Sequence, residues 1–208
     1  SVMLKHTAGL LTPDQGRVII KGKDIGRISR SELMKLRRRL GFLFQGGALF
    51  DSMTVFDNVA FPLREKSRLK EEEIREKVMH ELDQVGLIGS EDRFPSQLSG
   101  GMKKRAALAR ELVWEPEIML FDEPTTGLDP IMSRAILTLI DDLHKRLEFT
   151  GVIVTHEISE VFGITDRVAM LHEGLIATVG TPDEILSSRD PVVRQFIRGD
   201  MEGPISYR

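Results

Sequence analysis

Four apolar residues, Ile118-Met119-Leu120-Phe121, run directly into two acids, Asp122 and Glu123. A run of that length and character reads as a buried strand, which sets both carboxylates at its carboxyl end. An acid there can hold Mg²⁺ through water, because Mg²⁺ is hard and prefers carboxylate and phosphate oxygen. A second, adjacent acid can orient or deprotonate an attacking water. The plain alternative is two acids that merely begin a surface loop. The segment Leu98-Ser99-Gly100-Gly101-Met102 precedes the basic run Lys103-Lys104-Arg105. A serine and two glycines at a helix start expose backbone N–H groups at the positive end of the helix dipole, which suits a phosphate. The same residues read equally as a Ser N-cap on a tight glycine turn, and the basic run as a solvated face. Gln45 and His156 each end an apolar run, 40–44 and 152–155. A polar side chain there reaches a phosphate, a metal or a water, although a lone Gln or His is more often structural. Asp129 stands before Pro130 and is at minimum a helix N-cap.

These residues need a scaffold that gathers strand ends. A short strand bounded by glycines is expected over 16–22, and a buried strand over 40–45. Ser29 with Glu32 forms a capping box, so a helix follows through Leu33 and Leu36. Thr54 with Asp57 marks another helix start, and Ile74, Val78, Leu82 and Val85 recur at helical spacing over 70–85. A helix over 99–113, the strand 118–121, a helix from Asp129-Pro130 and a strand over 152–155 follow. A further helix, a strand pair at 167–171 and 175–179, and a helix opened by Thr181-Pro182 complete the chain. Alternating helices and strands apolar on both faces predict an α/β fold whose parallel sheet is covered on both sides. Ligands in such folds bind at the carboxyl ends of the strands, where Gln45, Asp122 and His156 fall. The stretch 51–113 holds no good strand and reads as a helical insertion.

With 208 residues the chain suffices for one ordinary domain, or one with a small inserted subdomain. Its net charge of −3 argues against a dedicated nucleic-acid binder, which would be strongly basic. No stretch approaches the roughly 18 to 20 apolar residues that span a bilayer, and no basic-then-apolar leader stands at the start. The absence of cysteine excludes disulfides, thiolate catalysis and cysteine metal sites.

Taken in order, the motifs resemble those of the ATP-binding-cassette ATPases, over essentially the whole chain. Gln45 is similar to the Q-loop, 98–102 to the signature motif, 118–122 to the Walker B strand and Glu123 to the catalytic glutamate. Gly127-Leu128-Asp129 resembles the D-loop, and His156 the switch histidine. The resemblance implies a P-loop NTPase fold with an inserted helical subdomain, and ATP as substrate with Mg²⁺. The expected division is a core of 1–50 and 114–180, a helical subdomain of 51–113 and a helical tail of 181–208. It further implies that Ser1, Gln45 and Asp122 serve the metal, and that Glu123 and His156 are catalytic. Nucleotide binding would involve Ser1, Gln45, Asp129 and the signature residues Ser99, Gly100, Gly101 and Met102, the signature completing the site of a second cassette in a homodimer. The residues from Ser1 to Pro13 look like the helix after a P-loop, with Ser1 matching the serine just after the P-loop lysine. The expectation is a cassette truncated at its N-terminus that binds ATP poorly by itself, since the loop's amides and lysine are missing.

A narrower resemblance runs through 46–65, Met102 and the tail 193–204, which are similar to the Mla-type lipid-transport ATPases that partner Mce proteins. It implies phospholipid transport, a peripheral position on the cytoplasmic face of the inner membrane, and an integral-membrane permease bound after Gln45. Val55 and Phe56 are expected in a packed subdomain core, and Phe50 and Met53 in a docking groove. The alternatives are a generic importer ATPase and a soluble cassette acting on DNA or the ribosome. A cassette acting on DNA would need a long coiled coil before the signature, for which the run from Ser1 to Ser99 leaves no room, and ribosome-acting types carry tandem cassettes where one is present here.

Overall fold

The computed structural model describes residues 1–206, the side chain at position 159 excepted. The chain divides into two compact units, Ser1–Thr155 and His156–Arg208. The first opens with helix α1 (Val2–Thr7), the short strands β1 (Ile19–Ile20) and β2 (Lys23–Asp24), and helix α2 (Arg30–Arg37). The strand expected over 16–22 is a hairpin tip. Lys21 and Gly22 both have positive φ, 49° and 75°, which turns the chain after Ile20 and pairs Ile20 with Lys23. Ser29 and Glu32 close the capping box: Ser29 Oγ accepts from the Glu32 amide at 3.2 Å, and the Glu32 carboxylate from the Ser29 amide at 3.1 Å.

The central sheet is parallel, with β4 (Ile118–Asp122) between β3 (Leu40–Leu43) and β5 (Thr150–Val154). Phe42 aligns with Leu120, Leu43 with Phe121, and Asp122 with Val154. Successive side chains leave a strand on opposite faces, so the unbroken apolar runs bury both. Phe42 and Leu120 meet Leu4 of α1 and Ala8 just past its end on one face. Leu43, Met119 and Phe121 point into a larger core with helices α3 (Val55–Lys66), α4 (Glu71–Gln84), α5 (Gly100–Leu112) and α6 (Pro130–Leu147). In α4 the 3.6-residue period places Ile74, Val78 and Leu82 in that core. Residues 51–113 contain no strand.

The second unit holds helix α7 (Ile158–Val161), an antiparallel pair β6 (Val168–His172) and β7 (Leu175–Gly180), and helices α8 (Pro182–Leu186) and α9 (Pro191–Arg198). Glu173 and Gly174, again both at positive φ, make its hairpin turn. Met170, Ile185 and Val193 form its small core. The buried Gln195 ties down the tail, accepting from the Ile205 amide at 2.7 Å and donating to the Ile205 carbonyl at 3.1 Å.

Candidate functional site

Parallel strands end together, so β3 and β4 bring their following residues to one edge. Ser1 precedes α1, but its side chain does not cap that helix. The hydroxyl donates instead to Asp122 Oδ1 at 2.9 Å, and Asp122 is buried at the end of β4. A hydroxyl and a carboxylate so placed form a hard oxygen pair, the donor chemistry that Mg²⁺ prefers beside phosphate oxygens. Among the described residues no cluster of three or more His, Asp or Glu side chains could hold a metal without such additional donors.

Glu123 turns away from the strand with φ of 50°, a left-handed conformation that costs a non-glycine residue about 1–2 kcal/mol. Strain of that kind persists only where neighbours over-determine it. The Glu123 amide donates to the Val154 carbonyl at 2.9 Å, and Thr126 Oγ1 donates to Glu123 Oε2 at 3.3 Å. The carbonyl of Glu123 accepts from the Thr126 amide at 3.3 Å and from Lys104 Nζ at 3.4 Å. Lys104 also donates to the carbonyl of Gln45, so the backbones after β3 and β4 share one buried ammonium. Burial lowers the Lys104 pKa from the usual lysine range, against the opposing charges of Glu123 and Asp122.

At the signature, Ser99 caps α5, its Oγ accepting from the Met102 amide at 3.3 Å. Ser99 and Gly100 are exposed, Gly101 is buried and Met102 half-buried. A Cβ on Gly100 would stand 3.1 Å from Leu128 of the segment after Glu123, so the two segments approach closely. Asp129 caps α6, its Oδ1 accepting from the Ile131 and Met132 amides at 3.0 Å each. The first unit thus brings together Ser1, Asp122, the backbone of Gln45 and Glu123, and sets the signature beside 127–129. His156 opens the second unit, exposed, just past the end of β5.

Sequence reasoning missed four residues. The basic run was open to reading as a solvated face, but Lys104 is 6% exposed. Its signal was the spacing to Leu108 and Glu111, which puts it on the inward side of α5. Buried Arg110 donates to the carbonyls of Gly47 and Ala48 at 2.9 and 2.6 Å, while Glu111 accepts from the Phe42 amide at 3.2 Å. Burial raises the Glu111 pKa, partly offset by the adjacent Arg110. Asn58, fully buried in α3, binds the backbone of Phe50.

Beyond Gln45 the surface sinks into a groove of about 410 Å³, lined by Phe44, Ala48, Phe50, Phe61, Arg110 and Trp114 among others. The Phe50 ring is 42% exposed and packs on Phe61 with centroids 4.9 Å apart. Val55 is buried, and half-buried Phe56 lies under the Arg64 and Arg75 guanidinium groups. Met53 does not line the groove.

Residues 1–126 match the protein family described as ABC transporter. The chain belongs to that family. It is 43% identical over 208 residues to the intermembrane phospholipid transport system ATP-binding protein MlaF of Haemophilus influenzae, covering 100% of this chain and 79% of that protein. It is 48% identical over 205 residues to a probable ribonucleotide transport ATP-binding protein, mkl, of Mycobacterium tuberculosis, covering 99% of this chain and 57% of that protein. Among solved structures, the dimeric ATP-binding cassette MJ0796 in a post-hydrolysis state with ADP and Pi superposes with a TM-score of 0.78. It is 32% identical, over 87% of this chain and 79% of that one. The parallel sheet with flanking helices is therefore the P-loop NTPase fold of an ATP-hydrolysing ABC cassette.

Proposed function

We propose that this ABC cassette powers phospholipid movement across the cell envelope as the ATPase of an Mla-type transporter. The observation that carries the reading is the likeness to MlaF along all 208 residues. The mycobacterial likeness favours a second reading, in which the cargo is a ribonucleotide.

In this reading Glu123 takes the proton of the attacking water, held in place by its anchored backbone and by Thr126. The Ser1 hydroxyl and Asp122 would hold Mg²⁺, which when bound would neutralise charge on the nucleotide phosphates. Gln45 would reach the same metal and the nucleotide, and His156 takes the catalytic role that its likeness to the switch histidine implies. Two copies of the cassette pair, and Ser99, Gly100, Gly101 and Met102 of one face the ATP of the other, with Asp129 holding the D-loop between them. The open Ser99 and Gly100 and the dimeric state of MJ0796 support that pairing. Among the described residues no helix is long and apolar enough to cross a membrane. An integral-membrane permease is the assigned partner. Its short helix lays an apolar face against Phe50 and Phe61, on the cytoplasmic face of the inner membrane, with an Mce-domain protein completing the complex. Nucleic acid is not a partner in this scheme.

Reconstitution of the complex in proteoliposomes tests the cargo. Labelled phospholipid should move in an ATP-dependent way; ATP-dependent uptake of ribonucleotide with no lipid movement would establish the second reading instead. The docking surface has its own test. Phe50→Ala should weaken permease association about 10-fold, the loss of one aromatic anchor. Basal hydrolysis of the isolated cassette should stay within about twofold, because no contact of Phe50 reaches the acids. A folded variant that still captures permease at wild-type level removes Phe50 from the interface, and a grossly lowered melting temperature makes it core.

A further inference from the structure

The proposed mechanism leaves the buried Lys104 unused. Lys104 stands on α5, one turn beyond the signature glycines, and an ammonium carried out of water is costly unless its donors are satisfied. Its donors go to two main-chain carbonyls from different strands: Gln45, beyond β3, and Glu123, beyond β4. Those carbonyls belong to the two residues given the metal and the attacking water in the proposed function. We infer that Lys104 is a positioning residue, binding the backbone of Gln45 to that of Glu123 so that the signature helix of the same chain holds the water-activating carboxylate in register.

Glu123 explains why such a tie is needed. Its left-handed backbone departs from the strand, and a carboxylate on a strained residue wanders unless both adjoining peptide groups are held. The preceding peptide is secured through the Glu123 amide and the Val154 carbonyl. The following one is held through the Glu123 carbonyl, by the Thr126 amide from within the same turn and by Lys104 from another element. The geometry also makes α5 a lever. Arg110, further along the same helix, grips the carbonyls of Gly47 and Ala48, so a displacement of α5 moves the segment after Gln45 at two points and Glu123 at a third. The positive charge of Lys104 faces the carboxylates of Asp122 and Glu123, whose attraction offsets part of its burial.

The inference rests on Glu123 acting as the base, and the experiment separates the two. ATP hydrolysis by the full-length ATPase is measured under single-turnover and steady-state conditions for wild type, Lys104→Met, Glu123→Gln and the double variant. Lys104→Met should lower kcat about 10-fold with KM for ATP within about twofold, since the tie acts on the base rather than on ATP binding. In the Glu123→Gln background the same change should cost less than about twofold, because the group being positioned is already gone. Lys104→Arg, which keeps a charged donor, should recover most of the loss. Equal losses in both backgrounds, an unchanged kcat, or a rise in KM matching the fall in kcat would overturn the assignment. Near-normal turnover by Glu123→Gln alone would instead remove Glu123 from its role, whatever Lys104 does. Where melting shows Lys104→Met unfolded, Lys104→Gln is read against the same outcomes.

Discussion

Glu123→Gln is expected to lower ATP hydrolysis by about 10²–10⁴-fold and to leave ATP affinity within about twofold of wild type. The amide keeps the size of the carboxylate and accepts the Thr126 hydroxyl as before, so the local packing survives. What it loses is a basic oxygen able to take a proton from water. The neighbouring acid does not replace it: Asp122 is buried and accepts from the Ser1 hydroxyl, while Glu123 is part-exposed past the strand end. A loss confined to kcat is the mark of an interaction made only in the transition state. Radiolabelled ATP hydrolysis beside nucleotide-binding calorimetry on the full-length ATPase measures both quantities. Turnover within about threefold of wild type would place the base elsewhere.

The second large effect is on stability. Asn58→Ala should cost about 3 kcal/mol, the sum expected when several buried backbone groups lose a partner and a small cavity opens. The Asn58 amide nitrogen donates to the carbonyls of Phe50 and Met53 at 3.1 Å each and of Thr54 at 2.9 Å, and its oxygen accepts from the Phe50 amide at 2.7 Å. Both ends of one fully buried side-chain amide are therefore engaged by the turn that enters α3. Alanine satisfies none of them. For a chain of this size the loss corresponds to a fall in Tm of about 6–12 °C, read by thermal melting. Asn58→Asp keeps the acceptor but loses the donors and buries a charge, so it should be at least as damaging. A Tm within about 1 °C of wild type for Asn58→Ala would mean that water takes over the side chain's bonds.

The parts of this molecule legible in the sequence are those whose causes lie within a few residues. Ser29, Thr54, Asp129 and Thr181 start helices because a side-chain oxygen reaches an amide two or three positions on. The unbroken apolar run into Asp122 and Glu123 could only be satisfied by a strand buried on both faces, so the acids had to stand at its end. The motif order was enough to point to an ATPase cassette. The strand expected over 16–22 was misjudged for an equally local reason: Gly22 takes a positive φ freely, so the chain turns at Lys21-Gly22 and only Ile19 and Ile20 remain as strand.

Ionic character in three dimensions could not be read in the same way. Lys103, Lys104 and Arg105 are three cations in a row, yet only Lys104 is buried; which one turns inward depends on where the strand-end carbonyls lie. Those carbonyls belong to residues 59 and 19 positions away, and the sheet alone brings them together. Arg110 and Asn58 follow the same logic, since their partners are backbone groups, which carry no residue identity and leave no pattern in the sequence. The left-handed backbone at Glu123 is likewise a tertiary outcome, held by a carbonyl of β5 and a lysine of α5 against the conformation its own residue type prefers. Local propensity and residue order determined the elements, the acids and the family. Long-range contact decided which polar groups hold the acids in place, because a buried polar atom takes whatever partner the packed chain brings within reach.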